Sequence, residues 1–130
     1  MTPNARLAIL GTGNIGRAMA VGLVSSGRLK PGEIILTRRR TSALDDLAGQ
    51  GYQVQADNPD ATRRAEIVIV AVGPHQLDAL LEEIAPEMNP ERHLLISVVS
   101  GASIAAIQAQ IGGEIPVIRA MPNTAIGLGR

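Results

Sequence analysis

The stretch that decides the fold is Arg6-Leu7-Ala8-Ile9-Leu10-Gly11-Thr12-Gly13-Asn14-Ile15-Gly16. The continuous apolar run from Leu7 to Leu10 reads as a buried strand that stops at Gly11. Apolar or small residues then fall at Ile15, Ala18, Met19, Gly22 and Leu23, the spacing of one helix face. The G-x-G-x-x-G pattern thus closes a strand and opens a helix, the setting in which each glycine has a task. Gly11 allows a tight turn, Gly13 lets the backbone approach a pyrophosphate, and Gly16 lets helix and strand pack closely. Amides at the helix N-terminus then hold phosphate oxygens. Leu10, Gly11, Thr12, Gly13, Asn14, Ile15 and Gly16 form the first candidate cofactor-binding set. A plain glycine turn is the alternative, but a compact fold does not require all three glycines at this spacing.

Outward from this turn the chain alternates. Gly27 is placed to end the first helix, and Pro31-Gly32 marks a turn before a second strand, Ile34 to Thr37. Ser42-Ala43-Leu44-Asp45 fits a capping box, with Leu44, Leu47 and Ala48 as the stripe behind it. Tyr52 to Gln55 reads as a third strand, and Asn58-Pro59 as a helix start with Asn58 as cap. Ile67 to Val72 is a fourth strand, followed by a helix face of Leu77, Leu80, Leu81 and Ile84. Leu94 to Val99 is a fifth strand. Ser103 caps a helix bearing Ile104, Ile107 and Ile111, and Ile115 to Ala120 is a sixth strand. The strands are continuous apolar runs rather than alternating ones, as in a parallel sheet covered on both faces. The expected fold class is α/β, a Rossmann-like doubly wound parallel sheet in the order 3-2-1-4-5-6. Residues 1–130 then make one dinucleotide-binding domain.

Composition narrows the function classes. Twelve Lys and Arg balance twelve Asp and Glu, which argues against a general nucleic-acid binder. One Tyr, with no Phe or Trp, leaves no aromatic platform for base stacking. The absence of Cys excludes disulfides, thiolate catalysis and Cys-based zinc sites, and two His make a His-rich metal site implausible. No metal is expected. No apolar stretch reaches the roughly 20 residues needed to span a bilayer, and no signal peptide is visible. The expectation is a soluble cytoplasmic protein with a small-molecule substrate and no nucleic-acid or membrane partner.

The strand ends carry the remaining candidates. The second strand ends at Thr37 and runs into Arg38-Arg39-Arg40, where an NAD-specific site would carry an acid for the ribose hydroxyls. Arginine offers a planar fork for a 2′-phosphate, so Thr37, Arg38 and Arg39, and less so Arg40, point to NADP(H). A solvated basic loop is the alternative. Ala71, Val72, Gly73 and Pro74 follow the fourth strand and should line the same cleft. His75 reads as an exposed first-turn histidine rather than a general acid, because no carboxylate partner stands at a fixed spacing. Ser97 to Gly101 ends the fifth strand, with Ser100 toward the nicotinamide side. Arg119-Ala120-Met121-Pro122-Asn123-Thr124 follows the sixth.

This order of motifs resembles the cofactor domain of pyrroline-5-carboxylate reductase. That family carries the glycine turn, an Asn near the third strand, an Ala-Val-Lys-Pro loop, a Ser-x-x-x-Gly turn and an Arg-Ala-Met-Pro-Asn-Thr segment. Here they stand as residues 11–16, Asn58, residues 71–74, Ser97 to Gly101 and residues 119–124. There are two departures: Gly73 stands where the family often has Lys, and Ala125 where a Pro is common. The F420-dependent NADP reductases share the N-terminal fingerprint but fit the Met-Pro-Asn-Thr end less well. The resemblance implies hydride transfer from NADPH to the C=N carbon of 1-pyrroline-5-carboxylate, giving proline. It implies Asn58 as a cofactor residue and Asn123 and Thr124 on the substrate side. It also implies a helical C-terminal dimerisation domain, not included in residues 1–130, that makes full-length members homo-oligomers. A non-catalytic NADP-binding module, an F420-dependent NADP reductase-like protein and a reductase for another imine are the competing readings.

Overall fold

The computed structural model describes residues 4–120. The substrate-side candidates Asn123 and Thr124, and the Ala125 departure, lie outside the described residues. The chain forms β1 (Leu7–Leu10), α1 (Asn14–Ser25), β2 (Ile34–Thr37), α2 (Asp45–Gly49), β3 (Gln53–Gln55) and α3 (Asn58–Arg64). It continues through β4 (Ile67–Val70), α4 (Pro74–Ile84), β5 (Leu94–Ser97), α5 (Ile104–Ile111) and β6 (Val117–Arg119). Six strands make one sheet in the order β3-β2-β1-β4-β5-β6. Every pairing is parallel. The class and strand order read from the sequence are those observed.

The alternation of side chains along each strand builds two apolar layers. Ala8, Leu10, Ile35, Val68, Val70 and Leu95 meet α3, α4 and α5 through Ala61, Leu77, Leu81, Ile84 and Ile107. Leu7, Ile9, Ile34, Leu36 and Ile69 face the other way, packed with Ala20 of α1 and with Leu44 and Leu47 around the start of α2. Because both faces are covered, β1 and β2 are buried at every residue. Each fully buried Leu or Ile contributes roughly 1.5–3 kcal/mol relative to exposure. The strand reading succeeded for this reason: burial on both faces demands an unbroken apolar run.

Helix details depart from the expectation. The packed side of α1 runs through Gly16, Met19, Ala20 and Leu23; of the residues read as its apolar face Met19 and Leu23 pack, whereas Ile15, Ala18 and Gly22 are exposed. Ile15 remains 39% exposed. The close approach of Gly16 to the sheet sets the helix rotation, and apolar spacing alone could not choose between two adjacent stripes. The helix ends as expected: the Arg28 amide donates to Leu23 O at 3.1 Å and the Gly27 amide to Val24 O at 3.0 Å. Gly27 takes φ +78° in this paired-bond termination.

The capping box at Ser42 does not form. A 3-10 turn over Thr41–Leu44 carries Ser42 instead, and α2 is only five residues long. The cap of α3 is Asp57, whose carboxylate accepts the Asp60 amide proton at 2.9 Å. Asn58 is therefore the first helical residue rather than the cap, which frees its side chain for the cleft. Ser103 does cap α5, accepting from the Ala106 amide at 3.0 Å. The fourth and fifth strands stop two residues earlier than read, at Val70 and Ser97, because the chain leaves the sheet to form the cleft loops.

Candidate cofactor site

The carboxyl ends of β1, β2, β3 and β4 surround a cleft of about 930 Å³. The turn after β1 forms its floor. Gly11 adopts φ +78°, and a β-carbon there would lie 2.2 Å from Val72 Cγ1, so no larger residue fits. A β-carbon on Gly13 would meet nothing within 4 Å, which leaves its backbone open to an approaching group. At Gly16 it would lie 3.0 Å from Ile9 Cγ2, the close helix–strand contact expected there. Gly13 caps α1 without a side-chain hydrogen bond, so the first amides of the helix have no intrahelical acceptor.

Thr37, at the end of β2, holds this floor in place. Its backbone carbonyl accepts the Thr12 amide at 2.7 Å, and its hydroxyl accepts the Gly11 amide at 3.2 Å. That hydroxyl then donates to Asn58 Oδ1 at 2.5 Å. The Asn58 amide nitrogen in turn donates to Glu83 Oε1 of α4 at 3.0 Å. The polarity of the chain is fixed, because Thr37 has one proton and uses it toward Asn58. The result is a hydrogen-bonded line from the glycine turn across the cleft to α4.

The second wall is basic. Arg38, Arg39 and Arg40 all line the cleft, and Arg38 donates to the Thr12 carbonyl at 3.3 Å. The third wall is the β4–α4 junction: Ala71, Val72 and Gly73, then His75, Gln76, Ala79, Leu80 and Glu83. The His75 ring covers Gly73, with Cε1 3.1 Å from where a β-carbon of Gly73 would stand. His75 is an exposed residue in the first turn of α4, as read from the sequence, yet it also borders the cleft. The Arg17 guanidinium meets the Asp46 carboxylate at 2.7 Å and ties α1 to α2 beside the turn. This hydrogen bond, more than charge alone, holds the Asp46 carboxyl below the usual carboxylate range.

Of the sequence candidates, Gly11, Thr12, Gly13, Thr37, Arg38, Arg39, Asn58, Ala71, Val72 and Gly73 meet in this cleft. Thr12 is fully buried, its hydroxyl donating to Ile9 O at 3.0 Å, so its side chain serves the turn rather than the opening. Leu10 is fully buried in the core layer. Asn14, Ile15 and Pro74 are exposed at helix starts, and Ser100 is exposed in the turn after β5. None of these four, nor Gly16, borders the cleft. The residues that sequence reading missed are Ala56 and the α4 stripe of Gln76, Ala79, Leu80 and Glu83. Their i, i+3, i+4, i+7 spacing puts them on one helix face, but nothing local says that this face meets a ligand.

The donor set suits a phosphate-bearing dinucleotide: open backbone at Gly13, unpaired first-turn amides, and three arginines where a ribose phosphate would lie. Among the described residues no three His, Asp or Glu side chains gather as a metal ion would require. No described helix is long and apolar enough to cross a membrane. Fold and site together define a dinucleotide-binding α/β domain of the oxidoreductase type.

The chain belongs to the family described as NADP oxidoreductase, coenzyme F420-dependent, whose model matches residues 6–101. It is 49% identical over 120 residues to pyrroline-5-carboxylate reductase 1 of Dictyostelium discoideum, covering 92% of this chain and 22% of that one. It is 40% identical to pyrroline-5-carboxylate reductase 2 of the same organism, covering 95% of this chain and 42% of the relative. Its fold matches a pyrroline-5-carboxylate reductase from Coxiella burnetii with a TM-score of 0.86 at 30% identity, over 96% of this chain and 46% of that one. The chain thus spans less than half the length of these relatives.

Proposed function

We propose that this chain is the NADP(H)-binding part of a reductase that converts 1-pyrroline-5-carboxylate to proline. The observation that carries the reading is the cleft itself. It joins an open glycine turn to Arg38, Arg39 and Arg40 without an acid at the end of β2. The pyrophosphate lies over Gly13 and the first turn of α1, where amides and the helix dipole stabilise negative charge. The adenosine ribose lies over the end of β2, with its 2′-phosphate toward the arginines. NADPH, when bound, supplies the hydride; the residues here bind and orient it. Thr37 and Asn58 fix the turn and the cleft edge. The family resemblance and the names of the relatives support the imine substrate, with Asn123 and Thr124 on its side.

The rest of the substrate pocket belongs, in this reading, to a helical domain outside residues 1–130 that also brings subunits together. Positioning of imine against nicotinamide contributes up to roughly 7–11 kcal/mol of barrier lowering in favourable intramolecular cases. Residues 1–130 by themselves are therefore expected to bind NADPH but to oxidise it with pyrroline-5-carboxylate far more slowly than a two-domain reductase assayed beside them. Comparable turnover, with host reductase excluded, overturns this division of labour. A chain that does not bind NADPH overturns the cofactor assignment.

A further inference from the structure

Glu83 is the one acidic side chain in the cleft wall among the described residues. It sits two turns into α4, beyond the apolar stretch formed by Val72, Ala79 and Leu80. Its Oε1 accepts from Asn58 at 3.0 Å, and the second carboxylate oxygen, Oε2, can accept a further hydrogen bond. Three hydrogen bonds, through Thr37 and Asn58, link it to the Gly11 amide of the phosphate turn. Resting on the cofactor reading above, we propose that Glu83 is a specificity-determining residue that accepts a hydrogen bond from the exocyclic 6-amino group of the cofactor's adenine.

A dinucleotide anchored by its pyrophosphate at Gly13 and by its ribose phosphate at the arginines directs its base away from both, along the β4–α4 wall. That wall offers Val72, Ala79 and Leu80 to a purine face, beside His75 and Gln76, and carries a carboxylate at Glu83. A carboxylate only accepts hydrogen bonds, so it favours the amino group of adenine and repels the 6-oxo oxygen of hypoxanthine. The line from Gly11 through Thr37 and Asn58 fixes the Asn58 amide with its nitrogen toward Glu83. Asn58 therefore holds the carboxylate in place while one oxygen stays available.

The test compares NADP with its hypoxanthine analogue, deamino-NADP, by calorimetric titration of the wild-type chain. NADP is expected to bind about tenfold more tightly, the order of discrimination of one well-placed base-edge hydrogen bond. Glu83→Gln keeps the shape and can donate to a 6-oxo group, so it should bring the two affinities to within about twofold, chiefly by improving deamino-NADP. Thermal unfolding of the variant checks that it remains folded. Equal wild-type affinities, or a preference that survives Glu83→Gln in a folded variant, overturns the assignment. If the wild-type chain binds neither nucleotide, the cofactor reading itself fails, and this inference with it.

Discussion

The backbone amide of Gly11 donates to the hydroxyl of Thr37 at 3.2 Å, so the phosphate turn after β1 and the end of β2 move as one unit. Thr37 is 1% exposed, and its hydroxyl is also the donor to Asn58. Thr37→Val keeps the shape and removes both bonds. It leaves a Gly11 amide and an Asn58 carbonyl without their partner, which should cost about 1–3 kcal/mol of stability. It should also weaken NADP binding. Urea unfolding with and without NADP checks both effects; an unchanged midpoint and an unchanged affinity contradict the relay.

Gly11 and Gly13 should separate stability from binding. Gly11→Ala forces a side chain into positive φ and into Val72, so it should destabilise the fold by roughly 2–4 kcal/mol. At Gly13 a β-carbon has no protein atom within 4 Å, so Gly13→Val should keep the wild-type melting temperature within a few degrees. It should nevertheless lose NADP, because the branched side chain fills the place of the pyrophosphate. Paired melting curves and titrations read this out, and normal NADP binding by Gly13→Val places the phosphate elsewhere.

How much of this was legible in the sequence varies by element. The steric roles of Gly11 and Gly16 and the sheet order were readable because they follow from local sterics and from burial on two faces. The rotation of α1 was not, because it depends on the contact between Gly16 and Ile9, a tertiary event. Asn58 was read as a cap when Asp57 takes that place; both residue types cap well, and only the fold shows which one the cleft claims. Glu83 and its neighbours on α4 carry no local signature. They line a cleft whose other walls come from four separate strand ends.

Replacing Arg38 and Arg39 together by Ala should remove the preference for NADP and leave a weak complex with either nucleotide. The salt dependence of NADP affinity should flatten in the same variant, since exposed charges act through screened electrostatics. A variant that keeps both the preference and the salt slope assigns the phosphate contact to Arg40 or elsewhere.

His93 should make folding sensitive to mild acid. It is buried, its Nδ1 accepts the Asn89 amide at 2.9 Å, and its Nε2 donates to the Thr62 carbonyl at 2.8 Å. Burial is the main cause that lowers its pKa from 6.5. The unfolded chain therefore takes up the proton first. The neutral form's stabilisation is fully present above about 6.5 and is lost as pH falls from there toward the folded value. Denaturant midpoints measured from pH 7.5 down to about 5 should decline, and His93→Gln should remove that decline. A flat wild-type profile over this window contradicts the assignment. The hydrogen-bonded carboxylates Asp46 and Asp60 act only at lower pH, where their lowered pKa values lie.

The most direct measurement is a titration of the wild-type chain with NADP and with NAD under one moderate salt condition. One or two charge-assisted hydrogen bonds from Arg38 and Arg39 to the 2′-phosphate should favour NADP by about 1.5–3 kcal/mol, a preference of roughly ten- to a hundredfold. Equal affinities, or no binding of either nucleotide, would contradict the reading of this cleft as an NADP site.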